Sequence, residues 1–318
     1  MKLIKLTGNF IEMKIDIHTH TLGIDNTPEL IFGKISKFVG KSKTRLNIIS
    51  KILHYALPTN RDILERLSIF LNEMGKSTEQ KIQELLQDND MVIINTIDLE
   101  YAGAGNVNIK YEKQIAELII LKKKYNIKIF VHLDNKRQDL YKLASFFAPF
   151  VDGWKLYPPV SGYPNDECIK AVLRDFPKHV TTHCTDSSPI YYHGNVDELL
   201  IEHWTTRKGT QKNKCQSFSH PYWVFLLANE FKNINFNFAH AGGNNKEWQS
   251  YIIHICKDND NCFTDTSYTF KDVKGFSKVF DAIPDKLLFG TDDCMCDGYS
   301  LPNMAAMQKN HKKFLNID

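Results

Sequence analysis

No stretch of this 318-residue chain is apolar for long enough to span a bilayer. Its first residues lack the apolar core of a secretion signal, because Lys2, Lys5, Asn9 and Glu12 interrupt them. Long basic runs are missing too: the longest is Lys122-Lys123-Lys124, and 40 basic against 37 acidic residues leave a net charge of only +3. That excludes the electrostatic footprint of a nucleic-acid binder. The cysteines, seven and therefore odd in number, are scattered at Cys168, Cys184, Cys215, Cys256, Cys262, Cys294 and Cys296, which is no disulfide framework. The expected compartment is the reducing cytoplasm. Cys294-Met-Cys296 has no second pair to complete a zinc site. Gly103-Ala-Gly105 lacks the rest of a dinucleotide fingerprint, and no nucleophilic Ser/His/Asp triad stands out. Internal repeats, low-complexity tracts and linkers are absent, so residues 1–318 are expected to form a single domain.

What is present is ordinary globular composition, 42% hydrophobic and 24% charged, organised as short β-branched runs separated by amphipathic segments. Strands are predicted at 14–20, 91–98, 127–134, 151–157, 179–184, 234–240, 262–267 and 286–292. Helical patterns fall at 61–87, 111–125, 138–148, 167–175, 222–231, 246–257 and 277–283. Eight strands alternating with helices predict a closed (β/α)₈ TIM barrel. An open doubly wound sheet would hold the same units, but the polar strand ends described next need closure to converge. Two connections are too long for simple turns: that after strand one, with amphipathic material around 28–57, and that after strand five. Both are expected above the barrel mouth.

The segment Lys14-Ile-Asp-Ile-His-Thr-His20 ends a predicted strand with two imidazoles, His18 and His20, pointing the same way. Such a pair is half of a site for zinc or a similar ion. Four more predicted strand ends carry groups of the same kind: Lys155 on strand four, His183 on five, His240 on six and Asp292 on eight. In a closed barrel all of them open at one end. Asp16 shares the face of His18 and is placed either to orient an imidazole or to make a plain buried contact, whereas Asp293 is expected to face away from Asp292. Tyr157 lies on the face of Lys155, His132 and Asp134 end strand three, and His193, Trp204, Arg207 and His220 sit in the long fifth connection; these are the candidates for lining the pocket, Tyr157, His220 and Arg207 first among them for substrate binding. The guanidinium of Arg207 would suit a substrate carboxylate or phosphate.

With these motifs the chain resembles the amidohydrolase superfamily, most closely its amidohydrolase 2, or amidohydrolase-related, branch. Phe263-Thr-Asp-Thr-Ser267, Ala239-His-Ala-Gly-Gly243 and Leu288-Phe-Gly-Thr-Asp292 resemble that branch's phrases, in order. Lys155-Leu-Tyr-Pro158 is similar to the strand-four lysine segment of dihydroorotase-type members. The resemblance implies a divalent metal centre, usually zinc, with His18, His20, His183, His240 and Asp292 as ligands. It implies hydrolysis as the commonest reaction and frequent assembly into homo-oligomers.

Lys155 decides the number of ions. An ammonium has no lone pair, so this residue is a ligand only as a neutral amine or after reaction with carbon dioxide. A carbamate would bridge two ions about 3.5–4 Å apart, and binuclear members of the family favour that form here. A metal lowers the pKa of bound water to about 7, so metal-activated hydroxide attacks while Asp292 takes its proton and passes it to the leaving group. The expected enzyme cleaves a C–O or C–N bond in a small organic molecule such as a lactone, amide or cyclic imide. The alternatives are a one-ion, non-oxidative decarboxylase of an aromatic or unsaturated acid, a Schiff-base lyase using Lys155, and a barrel that binds metal or ligand without turnover. Neither nucleic acid nor membrane is expected as a partner.

Overall fold

Parallel strands pair in chain order from β1 to β8: β1 (Ile15–Thr19), β2 (Met91–Asn95), β3 (Ile127–His132), β4 (Gly153–Leu156), β5 (His179–Thr185), β6 (Phe236–Gly242), β7 (Cys262–Asp265) and β8 (Leu287–Leu288). The computed structural model describes residues 13–28, 44–45, 48, 72–102, 105–185, 217–267, 273–293 and 304–317. The helices are α1 (Thr78–Asp88), α2 (Tyr111–Lys122), α3 (Leu140–Phe147), α4 (Pro158–Ser161), α5 (Glu167–Asp175), α6 (Pro221–Glu230), α7 (Lys246–Asp258), α8 (Val273–Ala282) and α9 (Met304–Leu315). The last strand returns to the first. Ile17 N–H donates to Phe289 O at 3.1 Å, Asp292 N–H donates to His18 O at 2.7 Å, and Thr19 bridges Asp293 in parallel. The sheet is therefore a (β/α)₈ TIM barrel, as the strand count predicts.

Every strand is buried along nearly its whole length, because a barrel covers one face with its own interior and the other with helices. Two apolar clusters follow from this. Ile15, Ile17, Met91, Ile93, Phe130, Phe263 and Leu288 pack together with Phe314 and Leu315 of α9. Val92, Ile94, Ile129, Val131, Trp154, Val180, Phe236 and Phe238 pack instead in a larger cluster with helix residues such as Ile82, Ile115, Leu143, Val172 and Ile252. Each such side chain contributes about 1.5–3 kcal/mol relative to leaving it in water.

One helix prediction needs correction. The pattern read as one helix over 61–87 is broken where the structure describes it: a helical turn ends at Gly75 and α1 starts afresh after Ser77. The reason is a capping box, in which the Ser77 hydroxyl accepts from Gln80 N–H at 3.2 Å while the Gln80 carboxamide accepts from Ser77 N–H at 2.9 Å. Residues 61–71, and the amphipathic material at 28–57 apart from Pro28, 44, 45 and 48, lie outside the described residues. Helix α9 was not anticipated. Its polar residues Gln308, Asn310 and His311 are buried, so the apolar periodicity is interrupted on the face that packs.

Those polar residues join α9 to the barrel seam. Gln308 accepts Ile15 N–H at 2.8 Å and donates to Ile15 O at 3.2 Å, standing in for a ladder partner. Asn310 donates to Leu287 O at 2.8 Å. Burial pushes His311 down to about 3, so it is neutral. Its Nδ1 faces the Gln308 oxygen at 2.9 Å and therefore carries the hydrogen, leaving Nε2 to accept Phe289 N–H at 2.8 Å. His311→Ala would orphan that buried N–H and open a cavity. The expected loss is about 2–4 kcal/mol of unfolding free energy, read from urea denaturation. A loss within 0.5 kcal/mol, the ordinary range for a surface substitution, would mean the seam does not depend on this contact.

Candidate metal centre

The strand-end groups singled out by the sequence do converge. His18 and His20 leave β1 with ring centroids 5.2 Å apart, His18 and His240 lie 4.9 Å apart, and His183 and His240 4.7 Å apart. Asp292 Oδ1 stands 3.2 Å from His20 Nε2 and 3.6 Å from His18 Nε2, and Lys155 Nζ is 3.0 Å from His18 Nε2. All six residues are buried. The register explains part of this: Lys155 pairs with His132 on one side and Thr181 on the other, deep between β3 and β5. Plain strand geometry does not explain the rest. The register of β1 shifts between Asp16 and Thr19, and His240 and Asp292 adopt left-handed backbone, with φ of 67° and 61°. Non-glycine residues seldom do this, and they concentrate at functional sites.

Charge and hydrogen bonding set the state of each group. Burial, reinforced by the nearby Lys155, pushes His18 down to about 3, which keeps it neutral. Burial likewise lowers His240. For Asp292 burial acts the other way, but the surrounding imidazoles of His240, His20 and His18 outweigh it and hold the carboxyl well below the usual range. Burial brings Lys155 down to about 8, against the opposing pull of Asp292 and Asp265, so a neutral amine is accessible near physiological pH.

One contact tests whether a cation suits these residues. His20 Nδ1 sits 2.6 Å from Asn95 O, a carbonyl that can only accept, so Nδ1 carries the hydrogen. A neutral His20 then turns the lone pair of Nε2 toward the lone pairs of Asp292 Oδ1. Two acceptors at that separation are stable only with positive charge between them or on one of them. The ligand atoms of His18, His20 and the ionised Asp292 lie within 4.8 Å of one another and form a buried donor set for a divalent cation such as zinc, with the His240 ring beside His18 and the His183 ring beside His240. The residues present fit it.

Of the substrate-binding candidates, Tyr157 is buried with its ring 4.9 Å from that of His183, beside the cluster. His220 caps α6, its Nδ1 accepting Tyr222 N–H at 3.1 Å, and its ring meets those of Trp248 and Tyr251 edge-on. Arg207 lies outside the described residues, as does most of the long fifth connection. His132, at the end of β3, is engaged on both nitrogens, with Asp98 N–H donating to Nδ1 at 2.9 Å and Ser161 Oγ 2.8 Å from Nε2.

Of the two placements open to Asp16, the structure takes the plain buried contact. Asp16 touches no imidazole ring: it accepts from His18 N–H and from Thr291 N–H and Oγ–H, tying β1 to the segment after β8. The simple alternation of Asp292 and Asp293 does not apply, because β8 ends at Leu288 and Asp292 is left-handed. The carboxylate that does meet a ring is Asp265, with Oδ2 2.9 Å from His18 Nδ1. Within Phe263-Thr-Asp-Thr-Ser267, no spacing rule gives Asp265 this role. Its position at the end of β7, the one strand between six and eight without an assigned group, was the available signal.

Gly290 matters for space. A Cβ there would stand 2.7 Å from the Cβ of His18, so the residue lets β8 lie against the first histidine. Gly290→Ala should displace the His18 ring while leaving every donor in place. A shift approaching 1 Å costs about 10²-fold in turnover, to be read as kcat/KM beside a circular-dichroism melt. Full activity in the variant would show that the seam yields without moving His18.

No protein-family model matches the chain, and no curated protein matches it in sequence. Solved structures match its fold over nearly its whole length. A mutant 5-carboxyvanillate decarboxylase from Novosphingobium aromaticivorans, with bound manganese and 3-methoxy-4-hydroxy-5-nitrobenzoic acid, superposes with a TM-score of 0.59 at 10% identity, covering 98% of this chain and 99% of that one. 2,6-Dihydroxybenzoate decarboxylase from Rhizobium gives 0.55 at 12% identity, over 96% and 99%. A Staphylococcus aureus protein described as an amidohydrolase gives 0.54 at 10% identity, again over 96% and 99%. At these identities the likeness is one of fold, and enzymes of more than one reaction type share it.

Proposed function

We propose that the chain is a divalent-metal-dependent hydrolase of the amidohydrolase superfamily, in its amidohydrolase 2 branch, cleaving a C–O or C–N bond in a lactone, amide or cyclic imide. His18, His20, His183, His240 and Asp292 would hold the metal, most simply zinc. When bound, the metal supplies Lewis acidity, polarising a substrate oxygen and acidifying water near neutral pH. Asp292 is ionised and buried beside two imidazoles, so it suits a base that takes a proton and returns it to the leaving group. Tyr157 would line the pocket beside His183, and the occupant is a small molecule.

The observation that carries this reading is Lys155. Its amine is fully buried among the imidazoles, 3.0 Å from His18 Nε2, where a permanent ammonium would compete with the cation. With a pKa of about 8, a neutral fraction is available to react with carbon dioxide, releasing a proton and giving a carbamate whose two oxygens can bridge two ions.

A second reading is favoured by the comparisons: two of the similar folds are decarboxylases, one of them with manganese. In that case one ion is held, and Lys155 stays an amine that meets the carboxylate of an aromatic or unsaturated acid. Elemental analysis of protein purified without chelator or affinity metal tests the bridged form. About two ions per chain support the Lys155-bridged hydrolase, and about one shifts the reading to a one-ion hydrolase or a decarboxylase. No uptake after reconstitution with zinc and manganese would overturn the metal-centred reading altogether. Among the described residues no helix is long and apolar enough to cross a membrane.

A further inference from the structure

Asp265 lies at the end of β7, on the side of His18 away from Lys155, and its surroundings assign every hydrogen around it. Oδ1 receives His240 N–H at 2.9 Å, Ser267 N–H at 3.1 Å and the Ser267 hydroxyl. Oδ2 faces His18 Nδ1 at 2.9 Å and receives Asn237 Nδ2–H at 2.7 Å. Five donors therefore converge on a carboxylate that offers about four lone-pair sites. His18, His240 and Asp265 also come close enough together to suggest a second ion seat. The donor count argues against it, because Asp265 has no lone pair left to give and His18 approaches it through Nδ1, not through the Nε2 that faces Lys155 and Asp292.

We propose that Asp265 is a positioning residue that fixes His18 in the tautomer with hydrogen on Nδ1, reserving its Nε2 lone pair for the cation. Ser267 carries the same constraint across to His240. Its single hydroxyl hydrogen goes to Asp265, so its oxygen accepts from His240 Nδ1 at 2.8 Å and stands 3.0 Å from His18 Nδ1. The Ser267 carbonyl, 3.2 Å from His240 Nδ1, can only accept and agrees with that assignment. Two imidazoles are thus set from one point, with His18 Nε2 facing Lys155 and Asp292 and His240 Nε2 standing 3.0 Å from His183 Nδ1. A hydrogen bond on the far nitrogen of a ligating histidine orients the ring and raises its basicity. The inference rests on the metal-centre reading only for what Nε2 takes up.

Asp265→Asn gives the sharpest test, because the surroundings dictate how the new amide must lie. The Oδ1 position receives two main-chain N–H groups that cannot reverse, so the amide oxygen belongs there and the NH₂ group takes the Oδ2 position. Asn237 can turn its own amide to accommodate this, since its Oδ1 has no hydrogen-bond partner. His18 can respond only by accepting at Nδ1 and moving its hydrogen to Nε2, where it blocks coordination. In a serine-protease triad the same exchange of carboxylate for amide leaves the geometry intact and imposes the wrong tautomer.

The experiment is long-range ¹H–¹⁵N spectroscopy of metal-free, ¹⁵N-histidine-labelled full-length chain near neutral pH, paired with zinc competition against a chelator. Wild type is expected to show His18 with hydrogen on Nδ1. Asp265→Asn should show it on Nε2, with zinc affinity about 10–100-fold weaker. Ser267→Ala should keep the His18 tautomer, because the carboxylate remains. An Nε2–H tautomer in wild type would overturn the proposal even if Asp265→Asn does not fold, and so would a folded Asp265→Asn that keeps both the tautomer and the affinity. If wild type takes up no zinc, the metal reading fails, while the spectra still decide the tautomer on their own.

Discussion

Asp292→Asn is expected to lower kcat/KM by about 10³-fold or more while the barrel stays folded. Two features make the substitution clean. The backbone there is left-handed, with φ of 61°, and asparagine is among the few residues that accept that conformation readily. The amide is also the size of the carboxyl, so packing is retained. What changes is charge and proton chemistry: an amide cannot carry a proton between water and leaving group, and as a neutral oxygen donor it is a weaker ligand. The amide NH₂ can even donate to His20 Nε2, replacing the acceptor pair at 3.2 Å with an ordinary hydrogen bond. Metal-free Asp292→Asn should therefore be at least as stable as metal-free wild type in urea. Near-wild-type turnover would remove Asp292 from the reaction.

Lys155→Ala is expected to cost about 10²-fold or more in turnover and to lower the metal content from two ions toward one. The side chain is only 1% exposed, so its loss leaves a closed space beside His18. Formate, acetate or propionate could fill that space and offer the two oxygens a carbamate would have supplied. Partial rescue by these acids, saturating with concentration, is the expected result. Rescue by methylamine with no response to acids would mean that the amine itself acts, which favours the decarboxylase or Schiff-base chemistry over the bridged hydrolase.

Much of this was legible in the residues, for identifiable reasons. The barrel could be counted because parallel strands buried on both faces read as short β-branched runs, and all eight fell within a few residues of their predicted positions. The six predicted ligand positions are gathered at one place because a closed barrel brings its strand ends together, whatever the local backbone does. That local backbone was not legible. The shift in β1, the left-handed turns at His240 and Asp292, and the early end of β8 are set by tertiary contacts. Asp265 was missed for a different reason: a carboxylate that serves a neighbouring ring has no spacing rule of its own, since its partner His18 lies 247 positions away. Helix α9 was hidden because buried glutamine, asparagine and histidine look like solvent-facing residues until their backbone partners are known.

The shortness of β8 has a consequence for how the molecule holds together. Between its two residues and β1, closure depends on a few main-chain bonds and on side chains borrowed from α9. His18 and His20 stand on one lip of that joint and Asp292 on the other, with a His20-to-Asp292 gap of 3.2 Å. Whatever grips both lips acts as a rivet across the least reinforced line of the cylinder. If the proposed cation binds there, its concentration enters the folding equilibrium itself, adding stability in proportion to the logarithm of ligand over Kd. The place where the proposed chemistry would occur is thus also the joint of the barrel, and loss of the proposed metal would loosen that joint as well as stop the reaction.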